Sequence, residues 1–143
     1  MWAAPHSIVR ALGLLLAGRC FFAAAAVPHL VGDSIWSIPT SDDFYIRWAE
    51  NRSFAVGDSL TFRFEVGFYD VVQVSRREFD DCTAENPFRS FPEGPATARL
   101  NEEGVHYFVC SFGNYCRLGQ KVAVSVRRKL PHPAASAPPP PPP

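Results

Sequence analysis

Three side chains that a metal ion or a redox reaction can use, Cys110, Tyr115 and Gln120, share one short loop with a further cysteine, Cys116. Blue-copper ions are held by two histidines, one cysteine and a weak, distant methionine or glutamine. A loop that presents a cysteine, then a second donor, then a glutamine supplies three of those four in order. Cys110 and Gln120 stand at plausible ligand positions. The residue between them, just before Cys116, is Tyr115 and not histidine, so the loop has the outline of a copper loop with an imidazole missing. No catalytic constellation accompanies it. Serines and histidines are scattered without a base or an oxyanion pocket, and no phosphate-cradling glycine loop occurs. The carboxylate pairs Asp42-Asp43, Asp80-Asp81 and Glu102-Glu103 fall in expected loops. The chain is not expected to be an enzyme.

Strands must hold such a loop. Val105 to Cys110 is almost wholly apolar, β-branched or aromatic, and Lys121 to Val126 alternates with Val122, Val124 and Val126 on one face, so a strand is expected on either side. Upstream, Leu60, Phe62, Phe64 and Val66 alternate with Thr61, Arg63 and Glu65, the pattern of a half-buried strand entered through the turn Val56-Gly57-Asp58. Val71 to Val74 and Thr97 to Leu100 read as further strands, and His29 to Val31 as a first one. Asp42 to Trp48 and Ser75 to Cys82 suit short helical turns, while Asn86-Pro87 and Pro92-Glu93-Gly94 carry turn chemistry. Short strands at regular spacing with few helices predict an all-β sandwich with short helical turns.

The 143 residues divide into three expected parts. Residues 1–26 hold no acid, place Arg10 before the apolar run Ala11 to Ala17 and end in Ala23 to Ala26, the pattern of a secretory signal peptide. Arg19 interrupts the run, and no stretch reaches the roughly 20 uninterrupted apolar residues that a membrane span needs. Residues 27–130 form the domain. Residues 131–143 contain only Pro, His, Ala and Ser, which have few amides for a ladder and read as an extended tail or linker. Taking Arg10 and Arg19 from 14 basic residues leaves 12 against 14 acids, a net charge of −2. Nothing in that balance suggests nucleic acid, and the cluster Arg127, Arg128, Lys129 reads as a solvated terminus. Asn51-Arg52-Ser53 is a glycosylation sequon, which a secreted chain carries on its surface. Cys20 leaves with the leader, so Cys82, Cys110 and Cys116 remain for one bridge and one free thiol. The favoured pairing is Cys82 to Cys116, with Cys110 free.

Taken together, these stretches resemble the phytocyanins of plants, and among them the early nodulin-like branch. The matching segments are VGDS at Val31 to Ser34, WAENRSFAVGDSLTFRF from Trp48, DVVQV from Asp70, the Cys82 region and EEGVHYFVCSFGNYCRLGQKVAVSV from Glu102. The resemblance implies a cupredoxin-like Greek-key β-sandwich and the same Cys82–Cys116 disulfide. It also implies that the family's copper-ligand positions fall on Tyr69, Cys110, Tyr115 and Gln120, so both histidine positions hold tyrosine. A phenol, with a reference pKa of about 10, must lose its proton to ligate well, whereas a neutral imidazole is available at physiological pH. His106 offers no rescue, because four residues of strand put it roughly 13 Å from Cys110 at about 3.3 Å per residue.

The expectation is therefore a secreted, non-enzymatic phytocyanin-like domain with a degenerate type 1 copper site and no cofactor, in which Tyr69 and Tyr115 fill the ligand pocket with their rings. It would act as a binding or structural module at the cell surface or in the cell wall, with cell-wall polysaccharide or proteoglycan as partner. The alternative is a blue-copper electron transfer protein, with copper as its cofactor.

Overall fold

The computed structural model describes residues 25–129 and 141–142. The expected signal peptide and proline-rich tail therefore lie almost wholly outside the described residues. The rest is a sandwich of two sheets. Strands β1 (Pro28–Ile35), β3 (Ser59–Arg63) and β6 (Ala96–Arg99) make one sheet in the order β1-β3-β6. The other runs β2-β8-β7-β4-β5, from β2 (Phe54–Ala55), β4 (Val71–Val74), β5 (Arg89–Phe91), β7 (Gly104–Val109) and β8 (Lys121–Arg127). Two pairings are parallel, β1 with β3 and β2 with β8, and the rest are antiparallel. Two short helices, α1 (Phe44–Glu50) and α2 (Arg76–Asp81), complete the fold. Neither is long or apolar enough to cross a membrane.

Alternation along the strands explains the layering. Leu60 and Phe62 on β3, Ala96 and Ala98 on β6, Phe108 on β7 and Val122, Val124 and Val126 on β8 all point between the sheets, where Trp36 and Tyr45 join them. Trp36 meets Phe62 edge to face at 4.9 Å between ring centres, and Phe62 meets Phe108 at 5.5 Å, so aromatic contacts cross the core from one sheet to the other. Strand β4 is buried on both faces because α2 covers its outer side: Val72, Val74, Phe79, Val109 and Cys116 form a second, smaller apolar cluster there. Ser75 caps α2, accepting from the Glu78 N–H at 3.2 Å. The pair Asp80-Asp81 consequently lies on a helix and not in a loop, and each carboxylate faces an arginine one turn back at 3.9 Å.

The sequence pattern misplaces the ends of two strands and misses two others. β3 stops at Arg63, because Phe64 leaves the ladder for the core while Glu65 and Val66 are exposed. β1 runs on through Ile35, past an irregularity in its pairing between Leu30 and Ile35. Strands β2 and β5 carry no alternation of their own and form because β8 and β4 offer them a free edge.

One buried carboxylate joins the start of the chain to both sheets. Asp58 accepts from the Val27 N–H on Oδ1 at 3.0 Å, and from the Ala55 N–H and His29 Nε2 on Oδ2, each at 3.0 Å. Burial raises its pKa, but the hydrogen bonds from His29, Val27 and Ala55 outweigh this and hold it below the ordinary carboxylate value. Stability from such a group is fully present above the unfolded carboxylate pKa and is lost as pH falls through the depressed folded value. Asp58→Asn offers one oxygen where two are used and turns its amide hydrogens toward N–H donors. It is expected to cost about 1 to 3 kcal/mol at neutral pH. Urea denaturation carried into the acid range checks this: the native protein should lose more stability on acidification than the variant.

Candidate functional site

The turn between β7 and β8 is built on backbone bonds that tie its ends together. The Cys110 N–H donates to the Gln120 carbonyl at 3.1 Å, and the Gln120 N–H to the Tyr115 carbonyl at 3.0 Å. Within the turn, Tyr115 N–H donates to Phe112 O and Gly119 N–H to Cys116 O, each at 3.0 Å. Gly119 has φ +105°, and a Cβ on it would lie 2.6 Å from the Asp42 Cα. Glycine is required because the loop leans directly on the backbone ahead of α1. Cys82 and Cys116 are bonded, with Cα atoms 5.7 Å apart, which fixes the loop to the end of α2. Closing this loop contributes on the order of 3 to 4 kcal/mol in the chain-entropy picture.

Tyr69 reaches the same place from the segment before β4. Its ring meets that of Tyr115 at 5.8 Å between centres with planes 62° apart, and both rings pack on the core that contains Cys110. Gln120 is completely buried, and neither its Oε1 nor its Nε2 has a hydrogen-bond partner among the described residues. The hydroxyl-to-hydroxyl or hydroxyl-to-Gln120 contact that the two tyrosines would allow does not form. The Cys110 thiol is also buried, and burial pushes its pKa up to about 11. It is therefore a neutral thiol at physiological pH.

Asp70 is a site residue that the sequence patterns do not single out. Its carboxylate accepts from the Ser111 N–H at 2.7 Å and from the Ser111 hydroxyl, and its carbonyl accepts from Trp36 Nε1 at 3.0 Å. These bonds clamp the residue after Tyr69 to the residue after Cys110 and anchor both to the core. The only sequence cue was adjacency to those two positions. His106 stands apart, with Nε2 on the Glu102 carbonyl at 2.7 Å and Nδ1 facing Gln73 at 3.1 Å, and His29 is committed to Asp58. Among the described residues, no three His, Cys, Asp or Glu side chains converge.

The plastocyanin-like domain family matches residues 36–120. This chain belongs to that family, the phytocyanins. Curated relatives include a blue copper protein of Arabidopsis thaliana, 39% identical over 73% of this chain and 56% of its own length. Cucumber peeling cupredoxin from Cucumis sativus is 41% identical over 68% of this chain and 74% of its own length. Early nodulin-like protein 14 of Arabidopsis thaliana is 33% identical over 81% and 67%. The chain thus spans little more than half of the first of these. Among solved structures, Cu2+ cucumber stellacyanin superposes with a TM-score of 0.67 at 37% identity, over 74% of this chain and all of the other. Two sheets with few helices and these neighbours make the phytocyanin fold cupredoxin-like.

Kinship corrects one expectation. The domain was expected to carry no cofactor, yet relatives are named blue copper proteins and a solved neighbour is titled with Cu2+. Copper is the group this family implies. The residues present fit it in part. Cys110 supplies a thiol, and the buried, unpartnered Gln120 amide supplies an oxygen that nothing else uses. The two remaining side chains that the resemblance assigns to the ligand set, Tyr69 and Tyr115, offer phenols and not the imidazoles of a blue-copper set. Peptide mapping without reduction should recover Cys82 joined to Cys116, and Cys110 should resist iodoacetamide until the protein is denatured. Rapid alkylation of the native thiol, or a Cys110–Cys116 bridge, would contradict the site described above.

Proposed function

We propose that this phytocyanin is a secreted, non-enzymatic module of the cell surface or cell wall with a degenerate type 1 copper site. It acts by binding and not by carrying electrons as a two-imidazole centre does. The observation that carries this reading is the Tyr69–Tyr115 ring pair at 5.8 Å, packed on the core cluster that includes Cys110, with phenols at the positions the family's pattern gives to histidine ligands. Copper supplies one-electron redox chemistry when bound. The residues of this chain that would hold it are Cys110, through Sγ, and Gln120, through Oε1, with Tyr69 and Tyr115 beside them. Thiolate favours the soft Cu(I) state, and the buried thiol disfavours releasing its proton to bind Cu(II). Asp70 and Ser111 hold the start of the loop through the Ser111 N–H bond to the Asp70 carboxylate at 2.7 Å. Asn51, exposed at the end of α1 with its side chain on the Arg47 carbonyl at 3.0 Å, is the glycan attachment point in this reading, which suits a secreted surface module.

A second reading, blue-copper electron transfer, is favoured by one observation, the unpartnered amide of Gln120. Colour separates the two. A blue-copper centre absorbs intensely in the visible through its cysteine-to-copper charge transfer. The native protein titrated with Cu(II) is expected to stay without that intense blue band, and its appearance would overturn the degenerate-site reading. The double variant Tyr69→His with Tyr115→His should restore the His, Cys, His, Gln set and turn blue, while either single variant should remain weak or colourless. Histidine is smaller than tyrosine, so the double variant should lose about 1 to 3 kcal/mol through the partial cavity. A folded double variant without colour would show that the two tyrosines do not occupy the ligand positions.

A further inference from the structure

A groove of about 620 Å³, within the range of small-molecule sites, opens at the opposite end of β7 from Cys110. Its lining includes Arg76, Arg89 and Arg99 together with the exposed ring of Phe88. Arg89 is half-buried and pinned from three sides. Its Nε donates to Gln73 Oε1 at 2.7 Å, its Nη2 to the Arg99 carbonyl at 3.0 Å, and its guanidinium lies over the Phe91 ring at 5.6 Å. The direction of these bonds is forced. Arg89 can only donate, so the Gln73 oxygen faces it and the Gln73 amide nitrogen faces His106 Nδ1, leaving His106 Nε2 to donate to the Glu102 carbonyl. Two of the five Arg89 donors are committed, and both hydrogens of Nη1 and the second of Nη2 are left over. Among the described residues no carboxylate pairs with Arg89 or Arg99, whereas Arg76 has Asp80 only at 3.9 Å. A cation held rigidly, partly desolvated and without a counter-charge is a site for an external anion, and a planar guanidinium matches a carboxylate best.

We propose that this groove is a subsite for an acidic polysaccharide, taking a uronate carboxylate on Arg89 between Arg76 and Arg99 and a sugar face on Phe88. The inference rests on the wall-binding reading above and names its ligand class. The acids of the lining separate a glycan from an acidic peptide. Glu102 and Glu103 also line the groove, Glu103 facing Arg128 only at 3.9 Å, and carboxylates accept hydrogen bonds from sugar hydroxyls but repel a chain that offers only carboxylates. A uronate polymer presents both groups on each unit, so its acids meet the arginines and its hydroxyls the glutamates.

The test is calorimetric titration of the purified protein with oligogalacturonate, its methyl-esterified form, a neutral β-glucan oligomer and a poly-glutamate peptide. Binding of oligogalacturonate is expected, weakened by salt, and reduced at least tenfold in Arg89→Gln and in Phe88→Ala, with the methyl ester and the peptide far weaker. Phe88 is exposed, so its variant should keep the native melting temperature even if Arg89→Gln does not. Equal binding of the methyl ester or of poly-glutamate, or unchanged affinity in Phe88→Ala and Arg89→Gln, would overturn the proposal. Retention of the neutral glucan alone would overturn it while leaving the wall-binding reading intact. Binding of no glycan at all would remove both.

Discussion

The Asp58 carboxylate is the constraint on which the two sheets depend. β1 and β3 lie in one sheet and β2 in the other, and the turn that carries Asp58 joins β2 to β3. By accepting from Val27, His29 and Ala55 at once, one side chain sets where the chain enters the sandwich and where it changes sheets. The same turn grips the end of β6, with Leu100 N–H on the Asp58 carbonyl and Gly57 N–H on the Leu100 carbonyl, both at 2.8 Å. A buried anion with this many donors is stable only as a set. Loss of any one leaves desolvated charge behind, a larger penalty than the net gain from a single hydrogen bond. His29, read from the sequence only as the start of a first strand, has its Nε2 committed to this knot.

What the sequence makes legible is whatever has a period or a fixed chemistry. The alternation over Leu60 to Phe64 and Val122 to Val126 leads directly to inward faces that are buried, and the three domain cysteines lead to one bridge and one buried thiol. β5 was not legible, because Arg89, Ser90 and Phe91 sit between two turn signals and gain strand geometry only from β4. β2 is two residues long and exists through its pairing with β8. The same limit applies at the site. The family pattern points to Tyr69 and Tyr115, but the Asp70–Ser111 clamp spans 41 residues of sequence, and nothing local marks it. Gln73 reads as a polar residue on a buried strand, and only the fold shows that Arg89 and His106 complete it.

The frame of the candidate site is tied by the polypeptide itself. The Cys82–Cys116 bond, the Cys110–Gln120 backbone bond, the close approach of Gly119 to Asp42 and the Asp70 clamp together fix the loop. None of these ties runs through the side chain of Tyr69 or Tyr115, whose rings meet edge to face beside them.

Gln120 leaves the largest uncovered cost of buried polar atoms among the described residues, because both of its side-chain polar atoms lack partners where Trp48 and Glu78 each leave one. Its side chain is as deeply buried as Leu60 or Phe62, and both polar atoms lack partners. An unsatisfied buried amide is destabilising by about 1 to 3 kcal/mol for each group left unpaired, and an apolar side chain of similar volume would avoid it. Neither the Tyr69 nor the Tyr115 hydroxyl makes up the loss. The amide oxygen is, however, a donor that a copper ion held on Cys110 would use, as the distant glutamine of a blue-copper set does. The physical balance at this position is thus a reason to keep copper within the chemistry proposed for the site, since the polypeptide alone leaves both polar atoms of this amide without a partner.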